Sequence, residues 1–382
     1  MSSGGATSLT RIKGQDRAIG LLRAAFESDR LSHAYLFQGP DGVGKETTAL
    51  AFASALNCEE DGLSGCGKCA ACKMSEGLSH PDIHLIFPTP RTLKPAEKRD
   101  LITGYVKDGY REQDFGRKSA IISVETILSD VVAKANQRPY IGPWKVFVVA
   151  DADMMTTEAA NTLLKTLEEP PDRTVIVLTT SRPNALPVTV VSRCQKIPFA
   201  SLSKDVIETV LLSDPRLGFD AGRAASAASL AQGSAGRALR SEREGPTVDL
   251  DRVAGLMAGK RTKDVASLVN EATALAFRLG RSEQQRLLEL MLLWYRDVLK
   301  LSEMGGDAAI PHLLYAKHVA ELTRQADAMD VESVGRLVDK IDDARRAIER
   351  YSNPTIVFTS VLLDMAIARR ASSTKRGIRN AA

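Results

Sequence analysis

Short apolar runs alternate with amphipathic stretches over the first half of the chain, and only the amphipathic pattern continues over the second. Ala34 to Phe37, His84 to Phe87, Val146 to Ala150 and Thr174 to Thr180 read as strands apolar on both faces, the pattern of a parallel sheet covered on both sides. Helical stretches separate them. Thr47 to Leu56 is one; another begins at Thr156 or Thr157, carries Glu158 in its first turn, keeps Leu163, Leu164 and Leu167 apolar, and is stopped by Pro170-Pro171. This alternation predicts a doubly wound α/β domain with its ligand at the C-terminal ends of the strands, closing near Phe199.

After Ser201 the strand pattern disappears. Alanine-rich helices are expected to about Arg243, then a turn at Glu244-Gly245-Pro246, then an all-helical remainder. Within that remainder Leu287, Leu290, Met291, Trp294 and Val298 share one face, as do Val334, Leu337, Val338, Ile341 and Ile348, stripes that predict a bundle core. The expected division is a core over 1–200, a small helical domain over 201–245, a second helical domain over 246–368 and a basic, disordered tail over 369–382. No internal repeat is seen.

The 382 residues, 44% of them hydrophobic, are enough for two or three domains with real cores. No charge-free run of about 18 apolar residues occurs and Met1-Ser2-Ser3-Gly4-Gly5 lacks an apolar signal core, so a cytoplasmic protein without a membrane partner is expected. A formal charge of +4 is only mildly basic, and 5% aromatics argues against base-stacking platforms. The segment from Pro88 to Lys118, with Arg91, Lys94, Lys98, Arg99, Lys107, Arg111 and Arg117 offset by acids, reads as a solvated insertion before a nucleic-acid patch.

Gly39-Pro40-Asp41-Gly42-Val43-Gly44-Lys45-Glu46 is a phosphate-binding loop complete except at its last position, where Glu46 replaces the magnesium-ligating Ser or Thr. Its strand-before, helix-after context favours this over an ordinary glycine turn. Gly39, Gly42, Gly44 and Lys45 are the candidate nucleotide contacts. A carboxylate beside the lysine makes ATP binding weak or absent and hydrolysis doubtful.

Cys58, Cys66, Cys69 and Cys72 have the spacing C-x7-C-x2-C-x2-C in a glycine-rich stretch. Four thiolates satisfy tetrahedral zinc with no open position, so a structural Zn2+ site is expected. Disulfides are the rival in an oxidising compartment, and an iron–sulfur cluster uses the same ligands. Cys194 reads as a small buried residue.

Five motifs in fixed order resemble bacterial clamp-loader AAA+ subunits. They are His33-Ala34-Tyr35-Leu36-Phe37, the loop, the cysteine cluster, Ala159 through Leu167-Glu168-Glu169-Pro170-Pro171, and Leu186 through Ser192-Arg193-Cys194. The resemblance is dense from about Arg11 to Phe199 and thinner beyond, where Arg350-Tyr351-Ser352-Asn353-Pro354 fits the end of a collar domain. Among these subunits the chain looks most like the delta-prime type. The ATP-hydrolysing tau/gamma motors end their second strand motif in Asp-Glu, whereas the matching residues are Ala150 and Asp151. Thr180 fits the family's phosphate-sensing position, and the second sensor arginine falls on Gly236 with Arg237 one residue away.

The resemblance implies an AAA+ core, a helical lid and an oligomerising collar. The implied role is a stator in a hetero-oligomer with tau/gamma and delta subunits, part of DNA-directed DNA polymerase III. That assembly loads a sliding clamp on primed DNA, and the stator needs no ATPase of its own. Arg193 is implied to act in trans as an arginine finger on a neighbour's nucleotide. The alternatives are an active tau/gamma-like ATPase and a zinc-dependent nucleic-acid adaptor.

Overall fold

The computed structural model describes residues 8–60, 63, 65–90, 93, 97, 100–102, 120–214, 217–243, 250–258, 264–310, 313–349 and 352–379. The chain divides into two compact units, the first reaching Arg243 and the second beginning at Glu244.

The first unit holds a five-stranded sheet built from β1 (Ala34–Gln38), β2 (Ile83–Ile86), β3 (Lys145–Val149), β4 (Thr174–Thr180) and β5 (Gln195–Pro198), in the order β2-β3-β4-β1-β5. All four pairings are parallel. Alternate residues of each central strand point into different cores, and both are buried. Tyr35, Phe37, Val146, Val148, Val175 and Val177 face one side, while Ala34, Leu36, Phe147, Val149, Ile176 and Leu178 face the other. Two-sided burial is why the strands read as unbroken apolar runs. β5 escaped the sequence reading because an edge strand needs little apolar content: only Ile197 of its residues is buried, and Pro198 costs nothing where no further strand pairs.

Helices α1 (Asp16–Glu27), α2 (Lys45–Leu56) and α3 (Ala70–Glu76) precede β2, and α4 (Thr157–Glu168) lies between β3 and β4. α2 is buried from Thr48 through Leu56, all round its axis, so it shows no amphipathic stripe. α4 is capped by Thr156, whose hydroxyl accepts the Ala159 N–H at 3.2 Å. A one-turn helix, α5 (Val188–Val191), leads into β5. A short antiparallel ribbon, Thr89–Pro90 with Ala120–Ile121, brackets the charged insertion; its seven named cations lie outside the described residues, as do Glu244-Gly245-Pro246 and Arg350-Tyr351.

Helices α6 (Lys204–Ser213), α7 (Ala221–Leu230) and α8 (Ala235–Arg243) have a small core of their own around Ile207, Leu211, Ala224 and Ala238. They nevertheless fall within the first unit rather than standing apart.

The second unit contains α9 (Leu250–Ala258), α10 (Val265–Arg278), α11 (Arg281–Met304), α12 (Val319–Ala326), α13 (Val331–Glu349) and α14 (Pro354–Arg379). Both predicted stripes enter its core, Val338 only partly. Trp294 donates its ring N–H to Gln325 Oε1 at 3.0 Å, and the buried Asp297 carboxylate accepts the backbone N–H groups of Leu314 and Tyr315 at 2.7 and 2.9 Å. The segment expected as a disordered tail instead continues α14 to Arg379, because it offers no proline and several good helix formers.

Candidate functional site

The phosphate loop leaves β1 at Gln38 and enters α2 at Lys45, the point where neighbouring connections run in opposite directions. Gly44 caps α2 with φ of 96°, in the left-handed region that glycine tolerates. Lys45 is buried, and its ammonium is turned back on the loop, donating to the carbonyls of Gly39 at 2.8 Å and Pro40 at 2.6 Å. Burial lowers the Lys45 pKa, opposed by Asp41, Asp151, Asp153 and Glu46 in that order. Four carboxylates therefore surround Lys45, one of them, Asp153, answered by a second cation, Arg182, a poor charge balance for a triphosphate.

The lid lies directly on this loop. The Gly236 N–H donates to the Gly42 carbonyl at 2.9 Å. A Cβ on Gly236 would stand 2.9 Å from Gly42 Cα, and one on Gly42 would meet Ser234 Oγ at 2.3 Å. The position matching a sensor arginine is thus a backbone seat without room for a side chain. Arg237 donates to Gln232 Oε1 at 2.6 Å, within the lid.

At the strand ends, Ala150 is fully buried and Asp151 sits in the left-handed region at φ 47°. The Asp151 N–H donates to Thr179 Oγ1 at 3.3 Å. Thr180 donates its hydroxyl to Asp153 Oδ1 at 2.6 Å and accepts the Arg182 N–H at 2.9 Å. The other Asp153 oxygen takes the Arg182 guanidinium at 2.7 and 2.8 Å. Asp153 was missed in the sequence; its only signal is its place two residues after Asp151, opposite an arginine two residues after Thr180.

The Cys58, Cys66, Cys69 and Cys72 sulfurs all lie within 4.8 Å of one another, and tetrahedral zinc with bonds of about 2.3 Å sets sulfurs about 3.8 Å apart. All five cysteines are free thiols. Backbone N–H groups already point at the sulfurs: Cys66 N–H at Cys58 Sγ (3.4 Å), Cys69 N–H at Cys66 Sγ (3.3 Å) and Cys72 N–H at Cys69 Sγ (3.4 Å). Such donors stabilise thiolate charge, so the donor set fits a bound metal ion. Burial pushes the Cys72 thiol up to about 12, and a bound cation would reverse that balance.

Arg193 lies apart from the loop, following α5. Ser192 Oγ and Arg193 both donate to the Thr189 carbonyl, at 3.2 and 2.9 Å, closing the short helix. Arg193 also pairs with Glu168 at the end of α4 at 2.6 Å, and its side chain remains 35% exposed. Cys194 is buried among Val190, Leu163 and Leu167, with its thiol pushed up to about 12. The motif thus divides its labour into cap, exposed cation and anchor.

Strand order, phosphate loop and strand-end acids define a P-loop protein of the AAA+ class. A sequence profile described as DNA polymerase III, delta subunit, matches residues 14–203. The delta' subunit of DNA polymerase III from Bacillus subtilis strain 168 is 30% identical over 322 residues, which span 82% of this chain and 86% of that protein. The chain belongs to the delta-prime family of DNA polymerase III subunits.

It is also similar to the tau subunits of Bacillus subtilis (26% identity, 91% of this chain) and Escherichia coli K12 (28%, 84%), spanning 59% and 48% of their lengths. A gamma subunit-related protein of Thermotoga maritima matches at 17% identity and TM-score 0.38, covering 93% of this chain and all of that one. The strand order, rather than this superposition, defines the fold. Among the described residues no helix is long and apolar enough to cross a membrane.

Proposed function

We propose that this chain is the stator of a bacterial clamp loader, a subunit that completes the ring, hydrolyses no ATP itself and presents Arg193 to the nucleotide of a neighbouring tau/gamma-type motor. One observation carries the reading: the groups that would serve a nucleotide in cis are buried and committed to the protein itself, while Arg193, though held by Glu168 and Thr189, keeps about a third of its side chain at the surface. Lys45 is held by loop carbonyls and Thr180 by Asp153. Glu46 and Ala150 cannot supply the usual magnesium ligands.

In trans, a planar guanidinium reaching a γ-phosphate would neutralise the charge that develops as the phosphoryl group leaves. Nucleotide in this chain's own loop is weak or absent. A zinc ion held by Cys58, Cys66, Cys69 and Cys72 would serve structure alone, since four sulfurs leave no open position.

The collar reading is supported by large apolar side chains left exposed among the described residues. Val265, Val269 and Phe277 on α10, and Ile356, Leu363 and Ile367 on α14, are all exposed on helices that pack together, as expected of a surface covered by other collars in a hetero-oligomer with motor and delta subunits. Sliding clamp and primed DNA are then met through the assembly.

The test is to measure ATP turnover by the chain alone, then to mix it with tau/gamma and delta subunits and measure mass, DNA-dependent ATPase and clamp loading. A stator gives no turnover alone and is required for loading. Turnover by the isolated chain at about 1 per second, abolished by Lys45→Ala, would identify a motor instead. Tight, steeply salt-dependent DNA binding by the isolated chain would identify an adaptor.

A further inference from the structure

Arg193 does not hang free, and what holds it is built into the fold. Its partner Glu168 is the last residue of α4, immediately before Glu169-Pro170-Pro171. A carboxylate there opposes the negative end of the helix dipole, an unfavourable position unless a cation answers it. His33, at the start of the first strand motif, donates its ring Nε2–H to the Leu167 carbonyl at 2.9 Å, fixing the same helix end. Three separated motifs thus converge on one edge, and Arg193 completes it with one guanidinium nitrogen on Glu168 Oε1 (2.6 Å) and the other on the Thr189 carbonyl (2.9 Å).

The energetics separate this arrangement from a stability device. With side chains 35% and 48% exposed, such a pair contributes about 1 kcal/mol or less to folding. A free arginine side chain, however, must surrender its rotamer freedom each time it meets a ligand, a cost that prior ordering removes.

We propose that Glu168 is a positioning residue for Arg193, holding the guanidinium in the one orientation that meets the neighbour's nucleotide. This rests on the trans-acting reading of Arg193 given above. Glu168 touches no nucleotide; it acts by ordering the arginine, with Thr189 as the second point of attachment.

The experiment uses the full reconstituted assembly in which the motor subunit beside this chain is the only one competent to hydrolyse. Glu168→Gln keeps shape and removes charge. It is expected to lower kcat at that site about two- to fivefold, the rate equivalent of one ordered exposed ion pair, with KM for ATP unchanged and the melting temperature of the chain moved by no more than about 4 °C. In an Arg193→Ala background the same substitution should change nothing further. Wild-type turnover with Glu168→Gln, an increase in turnover, or an equal loss in the Arg193→Ala background would each overturn the proposal while leaving the finger intact. If Arg193→Ala itself leaves turnover unchanged, the trans-acting reading falls, and the role of Glu168 with it.

Discussion

The two ends of the AAA+ machinery in this chain have opposite fates. At the phosphate loop every polar group with a mechanistic past has an internal partner: Lys45 its carbonyls, Thr180 its aspartate, Gly42 its lid. At the Ser192-Arg193-Cys194 edge the cation stays at the surface, held by a single carboxylate and a single carbonyl. The difference teaches what burial does to a polar group: at the loop each is satisfied by the protein itself, whereas at the edge a guanidinium is held in place and still reaches solvent.

The sharpest way to break this contrast is Arg193→Ala in the reconstituted assembly. Turnover at the one neighbouring site it serves should fall on the order of 10³-fold, with folding and assembly intact and clamp loading hit harder than bulk ATPase. Arg193→Lys should recover little, because an ammonium lacks the planar fork.

Next in size is the metal. Cys72→Ser, or removal of metal by chelation, should abolish bound zinc and cost a few kcal/mol, read as a drop of roughly 5–10 °C in melting temperature. Metal analysis finding no zinc in the untreated protein, or an iron–sulfur absorption band, would contradict this.

A smaller effect tests the closed loop. Gly236→Ala places a Cβ at 2.9 Å from Gly42 Cα, so the lid must shift, at a cost of about 1–3 kcal/mol. Gly236→Arg should behave no better and should bring no gain in ATP binding. A variant as stable as the parent would mean that the lid is not seated on the loop.

The smallest expected effect is none at all. Glu46→Thr combined with Ala150→Asp restores two metal-binding side chains, yet the isolated chain should remain inactive. Thr180 stays tied to Asp153, and Arg237 pairs with Gln232 within the lid. Turnover in the double variant, followed by phosphate release, would show that the internal pairing of Lys45 and Thr180 does not close the loop to ATP.

Much of this was legible in the sequence, for physical reasons. The three central strands announced themselves because two-sided burial requires continuous apolar residues, β2 by its apolar Ile83, Leu85 and Ile86 although it is an edge strand, and α4 because its cap, stripe and double proline lie in order. The edge strand Gln195–Pro198 was hidden, since a single buried Ile197 gives no period to read. The candidate residues were also visible as types: the loop glycines, the four cysteines and the arginine. What could not be seen was their pairing. That Thr180 is spent on Asp153, that Gly236 is a contact rather than an empty sensor position, and that Glu168 meets Arg193 all depend on residues brought together from 25 to 194 positions apart.

Glu46 has a consequence beyond the metal ion it fails to bind. It lies in the first turn of α2, where the unpaired N–H groups of a helix create a partial positive charge that a side-chain carboxylate stabilises by about 0.3–1 kcal/mol. A motor must leave that charge exposed, because a visiting phosphate is meant to answer it. Here the helix carries a permanent anion of its own in that turn, so its beginning is stabilised without a bound phosphate.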